Sequence, residues 1–267
     1  MIVPAMTTLP ANAIFRIDGN QVWTSPRAGG PWDPRAQHGS PPAALVAWIA
    51  DALPSPAPMR LARLTIDLMR PVPLAPLTFT TEIVREGRKI QLCTVRLLAD
   101  GIEVVRASVL KIRTAENDIP PDAATPPLDV PDPDQCREDT MDSARNVFLG
   151  TMSMRPAFGR FIEQGRAAIW FRANVPLIEG EPLSPLLRAV IASDFCNGTS
   201  PSLDFGKWTF INADLTVNLA RYPAGDWILV NAESYSGRDG AGLSIARLAD
   251  AQGYFGRVIQ SLVVEPR

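Results

Sequence analysis

The sequence has little with which to hold a metal or to cross-link itself. It contains one histidine, His38, and three cysteines, Cys93, Cys136 and Cys196, widely and unevenly spaced with no Cys-x-x-Cys pair. That excludes the common zinc spacings and a disulfide framework. A basic excess is also missing, since 26 Lys and Arg stand against 28 Asp and Glu. Nothing therefore draws the chain to a phosphate backbone or to anionic lipid, and neither nucleic acid nor membrane is an expected partner. The N-terminal stretch MIVPAMTTLPANAIFRIDG has no cationic start and no long apolar run, and carries a proline at position 4. It reads as neither signal peptide nor membrane anchor, so the expected location is cytoplasmic. No cofactor is expected.

What the chain does have is a repeated phrase. LTIDLMRPVP starts at Leu64 and LTVNLARYP at Leu215, 151 residues later. Between them lies TAENDIPPDAATPPLDVPDPDQC, with prolines at 120, 121, 126, 127, 131 and 133. Proline fixes φ and cannot donate to a sheet, so 114–137 reads as an extended acidic linker separating 1–113 from 138–267.

Each half shows the same order of elements. In the first, PPAALVAWIADAL (41–53) has helical spacing with prolines where a missing N–H costs nothing. Four runs rich in β-branched residues follow, RLTIDLMRPV, LTFTTEIVRE, IQLCTVRLLADG and EVVRASVLKIR, and read as antiparallel strands. The second half repeats this with a helix over 182–195 and the strands WTFINADLTVNLARYP, WILVNAESYSG, GLSIARLADAQG and YFGRVIQSLVVEPR. The pattern is a duplicated α+β unit. One copy alone would leave a sheet edge uncovered, whereas two copies can pair edge to edge into one continuous sheet. Further self-association into a homo-oligomer is compatible with this.

The stretches GPWDPRAQHGSPPAALVAWIAD, RLARLTIDLMRPVPLAPLTFTTEIVREGRKIQLCTVRL and DGAGLSIARLADAQGYFGRVIQSLVVEPR together resemble the type II acyl-CoA thioesterases and related bacterial thioesterase-like proteins. The resemblance implies a double hot-dog fold, each helix wrapped by a curled antiparallel sheet. It also implies an acyl-CoA substrate and hydrolysis of its thioester. The family places an Asp on the second-half helix, a Thr or Ser on the next strand and a Gln near the end of the last strand. Here these positions fall on Asp194, Asn212 and Gln260, the middle one a departure from the family's hydroxyl. An amide can still orient a water, because it both donates and accepts. In this reading Asp194 is the base, Asn212 and Gln260 direct the water, and backbone N–H groups near Gly198 receive the oxyanion.

The repeat supports one site rather than two. Leu61 lies 151 residues before Asn212, and laying ASVLKIR under QSLVVEPR sets Ala107 against Gln260, so the first half is apolar where the second carries amides. Other readings stay open. His38 precedes a helix ending in Asp51 and could form a rival site with it, or shape the helix entrance or the junction of the halves. Arg70 and Arg221, each following the repeated phrase, could bind phosphates of coenzyme A or close strand ends. The six tryptophans are scattered and expected at core or edge positions. A double hot-dog that binds acyl thioesters or hydrophobic ligands without turnover is an alternative function, favoured by Asn212. Enoyl-CoA hydration is a weaker one, because no Asp-His loop surrounds His38.

Overall fold

The structure is a computed structural model that describes residues 9–10, 12–120, 127–140 and 146–267. Most of the N-terminal stretch and the middle of the proline-rich linker lie outside the described residues. The first half runs β1 (Phe15–Asp18), β2 (Gln21–Thr24), α1 (Ser40–Ala52), β3 (Met59–Leu68), β4 (Leu77–Glu86), β5 (Ile90–Ala99) and β6 (Ile102–Arg113). The second runs β7 (Met152–Phe158), β8 (Ala167–Ala173), α2 (Pro185–Ser193), a single-turn α3 (Cys196–Thr199), β9 (Trp208–Asn212), β10 (Asp214–Leu219), β11 (Ile228–Ser236), β12 (Ala241–Asp250) and β13 (Gly253–Pro266).

All thirteen strands join one sheet in the order β1-β2-β4-β5-β6-β3-β10-β13-β12-β11-β8-β7, with β9 pairing onto β13. The junction explains the repeated phrase. At it β3 pairs antiparallel with β10, Thr65 opposite Thr216 and Leu64 opposite Val217, and the Thr216 hydroxyl donates to the Thr65 hydroxyl at 3.3 Å. Each central strand thus pairs with its own copy about a local two-fold axis. The bulges repeat as well. Leu97 pairs with Val105 before an extra residue, Val104, and Leu248 pairs with Gly256 before an extra residue, Phe255. These positions are also 151 residues apart, so the register sets Val109, not Ala107, against Gln260. The earlier alignment is corrected by two residues, which keeps the same face of the strand.

Burial alternates along the inner strands, and the helices fill the inner side of the curl. Ten of the thirteen residues of α1 are buried, which suits a helix that is apolar nearly all round. It packs against α2 as well as β3, β5 and β6. α2 begins with Ser184, whose hydroxyl oxygen accepts from the Leu187 N–H, and Pro185 at the first helical position.

Three sequence expectations need correction. The second helix ends at Ser193 and is followed by α3 rather than continuing to 195. The stretch WTFINADLTVNLARYP is two strands, broken at Ala213. Two strands, β7 and β8, precede α2 where none was expected; the AAIWF run of β8 is buried on five successive residues and lacks alternation. Over this outer surface lies the end of the linker. Leu128 and Val130 pack on Trp170, Leu229 and Tyr254, Trp170 Nε1 donates to the Pro131 carbonyl at 3.0 Å, and Arg247 pairs with Asp129 at 2.8 Å.

Candidate functional site

Asp194 closes α2, at the end of a helix where the dipole disfavours negative charge. Its carboxylate is 3% exposed and therefore needs donors from elsewhere. Three converge on it, and the Ser40 hydroxyl, which donates to the Ile191 carbonyl at 2.9 Å, stands beside them. Asn212, at the break between β9 and β10, donates through Nδ2 to Oδ1 at 3.0 Å, and Gln260, pointing inward from β13, donates through Nε2 to the same oxygen at 3.2 Å. The other oxygen, Oδ2, lies 2.9 Å from His38 Nδ1 and 3.4 Å from Ser40 Oγ. His38 and Ser40 belong to the first half and stand at the start of α1, whose N-terminal dipole favours the charge.

The structure thus brings together Asp194, Asn212 and Gln260 and adds His38. Gln260 is fully buried, and its Oε1 accepts from the Asn197 N–H at 3.1 Å. Its functional groups are therefore occupied, and it does not line the cavity beside the site. Asn212 does line it; its Nδ2 is spent on Asp194 and the Asp214 carbonyl, while Oδ1 has no partner among the described residues.

The imidazole is tightly placed. It lies between the rings of Phe148 and Phe195, with centroids 5.2 and 4.8 Å away. Nδ1 is within reach of both the Ser40 N–H, 3.1 Å away, and Asp194. Nδ1 accepts from the Ser40 N–H in this geometry; two lone pairs would repel at 2.9 Å, so closing the Nδ1–Oδ2 contact with a proton on Nδ1 displaces that N–H and leaves Nε2 as the free acceptor. Nε2 makes no hydrogen bond among the described residues and is not among their solvent-excluded atoms, so it is open to the cavity that His38 lines. Gly39 sets the spacing: a Cβ there would lie 2.7 Å from both Asp194 oxygens.

The cavity has a volume of about 480 Å³ and runs between the halves, within the usual range for small-molecule sites. Its walls are largely apolar, with Trp32, Phe161, Phe195, Phe205 and Phe210 the largest apolar side chains. Gly39 and Gly198 also line it. Prolines 41 and 42 have no N–H, and the Gly39 N–H has no backbone partner among the described residues, so it stands as a free donor at the start of α1.

The other candidates separate. Asp51 sits at the opposite, exposed end of α1, where its backbone carbonyl accepts from Lys111 Nζ at 3.2 Å; it forms no site with His38. Arg221 is held by Asp250, with Nη2 to Oδ1 at 2.7 Å, and closes its strand end. Arg70 lines the cavity, its Nη1 donating to the Glu103 carbonyl at 3.0 Å. Cys93 and Cys196 are buried, and burial pushes the Cys196 thiol up to about 12. Among the described residues no group of three His, Cys, Asp or Glu side chains could hold a metal ion, and no helix is long and apolar enough to cross a membrane. The residues that sequence reasoning left out, Ser40, Phe148 and Asn197, are local to no motif. Ser40 alone carried a signal, as the hydroxyl next to His38-Gly39.

Comparison with known proteins agrees with this architecture. A sequence model of the acyl-CoA thioesterase N-terminal domain matches residues 28–112, and one of the C-terminal domain matches residues 121–264. No curated protein matches the chain. Among solved structures, a hot-dog protein of unknown function from Alicyclobacillus acidocaldarius is similar with a TM-score of 0.73 and 17% identity, covering 94% of this chain and 95% of that one. A candidate thioesterase II from Thermobifida fusca is similar with a TM-score of 0.74 and 17% identity, covering 96% of each chain. An acyl-CoA thioesterase II from Mycobacterium marinum is similar with a TM-score of 0.61 and 14% identity, covering 94% of each.

Proposed function

Because the chain belongs to the acyl-CoA thioesterase family, we propose that it hydrolyses acyl-CoA thioesters through a water activated at the Asp194–His38 pair. The observation that carries this reading is the crowding of the carboxylate. Both Asp194 oxygens are already met by protein donors, which leaves His38 Nε2 as the open base facing the cavity. Asp194 then acts as orienting partner, as the carboxylate of a catalytic triad does. Asn212 and Gln260 hold Asp194, and the free Oδ1 of Asn212 helps direct the water.

In the reaction, the water oxygen bonds to the thioester carbonyl carbon as Nε2 takes its proton. The carbonyl oxygen becomes an oxyanion, to which we assign the backbone N–H groups of Gly39 and Gly198, two residues that line the cavity. The C–S bond then breaks, and the coenzyme A thiolate leaves with the proton returned by the imidazolium. A thiolate leaves readily, so a weak acid suffices. The acyl chain occupies the apolar cavity, and Arg70 at its edge suits a phosphate of the coenzyme.

The test is thiol release from short, medium and long acyl-CoA esters by the intact protein, His38→Gln and Asp194→Asn. General-base loss is expected to slow His38→Gln by about 10²- to 10⁴-fold, with Asp194→Asn similarly impaired and both folded. Full activity in His38→Gln beside a dead Asp194→Asn would return the base role to the carboxylate. Saturable binding with no turnover across the panel would mark a non-catalytic binder, and hydration of a 2-enoyl-CoA would mark a hydratase.

A further inference from the structure

The face of the sheet turned away from the helices holds a second recess, independent of the proposed reaction. Where β3, β10, β13 and β12 cross the junction, one row of the register sets Arg63 opposite Asn218, Asn218 opposite Arg257, and Arg257 opposite Arg247. Buried neighbours on either side, such as Leu64, Val217, Val258 and Leu248, point inward, so these four point outward. Two bulges open the face at this level. Ala62 is the extra residue of β3 against β6, and Phe255 is the extra residue of β13 against β12. Both line the resulting groove of about 620 Å³, consistent with the twist that bulges add.

The groove contains three arginines and no carboxylate in its lining. Arg247 is paired with Asp129 of the linker. Arg257 is exposed and has no partner among the described residues, although it stands directly opposite Arg247, a like-charge pairing that costs stability. Arg63 reaches Ser108 through Nη2 at 3.3 Å, but its Nε is buried without a partner. Unsatisfied buried donors are rare in folded proteins and point to a missing acceptor.

The other copy of the unit shows what is missing. The counterparts of Arg257 and Arg247, 151 residues earlier, are Arg106 and Arg96. Arg106 pairs with Glu103 at 2.6 Å, Arg96 contacts Glu103 and Glu82, and Asp67 stands opposite Arg106. In the second copy Glu103 becomes Tyr254 and Asp67 becomes Asn218, while Asp214 has Arg63 as its first-copy counterpart. The arginines persist where two of the three carboxylates are gone; the third, Glu82, is retained as Glu233, which pairs with Arg166.

We propose that this groove binds an amphiphilic anion, a carboxylate or phosphate head on an apolar chain. The head sits between Arg63 and Arg257, within reach of forked guanidinium donors. The chain lies along Leu110 and Ile112.

The arginine Nε–H resonances report on the site directly. Decanoate, decyl phosphate and inorganic phosphate are titrated into the full chain by ¹H–¹⁵N NMR. The Arg63 and Arg257 signals are expected to shift saturably, with at least one tailed probe binding tenfold or more tightly than inorganic phosphate. Arg63→Gln and Arg257→Gln should each weaken that binding at least tenfold, while Arg106→Gln on the paired flank leaves it unchanged. Tighter decanoate binding identifies a fatty-acid carboxylate as the source, and tighter decyl phosphate a lipid phosphate. A probe that enters only the cavity between the halves would leave these two signals and the variants' affinity unaltered, which overturns the proposal. So would equal affinity for inorganic phosphate.

Discussion

Replacing Gly39 by alanine separates the chemistry from the fold. Gly39 has φ −67° and ψ −26°, ordinary helical values that alanine adopts freely, so the backbone is not strained and the unfolded chain loses entropy in the protein's favour. The obstacle is local. The new Cβ would lie 2.7 Å from both Asp194 oxygens, where ordinary contact begins at 3.4 Å, so one side must yield by about 0.7 Å. The start of α1 is wedged by two buried prolines, which leaves the carboxylate to move. A shift of that size carries contacts now at 2.9 to 3.2 Å to the edge of hydrogen-bond reach. Each charge-assisted bond lost or weakened is worth about 1.5–3 kcal/mol, and a misplacement on the order of 1 Å costs about 100-fold in rate. Gly39→Ala should therefore lose about 100-fold in kcat/KM on the best acyl-CoA ester, and about 1–2 kcal/mol in unfolding free energy once the entropy gained by alanine offsets part of the weakened bonds. The His38 Nδ1–H resonance, held downfield by Asp194, should move upfield. Activity within threefold of the parent in a folded variant would refute the steric account of the site.

Two further predictions concern groups around that centre. Gln260→Leu removes one donor from Asp194 and strands the buried Asn197 N–H; it should cost about 1–3 kcal/mol in denaturant unfolding and lower kcat more than it raises KM. Burial alone would push the Asp250 carboxyl up, but the Arg221 guanidinium and the N–H groups of Ala224 and Gln252 outweigh it and hold it below the ordinary range. The charged form thus stabilises the fold above pH about 3.9, and the contribution is lost as pH falls through the lowered value; Asp250→Asn should cost about 3 kcal/mol at neutral pH and flatten that acid limb.

The repeat was legible because its two phrases face each other: strands that pair with their own copies must share pattern and register, and Leu64-Thr65 against Leu215-Thr216 shows this in the bare sequence. Asp194, Asn212 and Gln260 were nameable through the family pattern. The partnership of His38 was not, because it joins residues 156 positions apart across two copies, whereas local reading could only offer Asp51 on the same helix. Thirteen residues of helix span about 20 Å, so those two could never have met. β8 was hidden for a different reason: a strand covered on both faces, by the core and by the linker on Trp170, loses the alternation that marks a strand. The break at Ala213 has no local signal, since both flanks carry strand-forming residues and the sheet geometry decides the division.

Duplication in one chain allows two potential sites to diverge, and the register locates the first-half counterpart of the proposed one. Leu61 and Val109, the counterparts of Asn212 and Gln260, are both fully buried and belong to the main core. With a single histidine in the chain, polar groups there would serve no second imidazole and would carry only their desolvation cost. If this region has become core, Val109→Gln must be poorly tolerated. The lost apolar burial costs about 1.5–3 kcal/mol and an unpartnered amide about 1–3 kcal/mol more, together lowering the thermal midpoint by about 10 °C. Activity per folded molecule should persist, because the intact site keeps all its donors. A midpoint within 2 °C of the parent would mean that the counterpart region still accepts an amide and was never resolved into core.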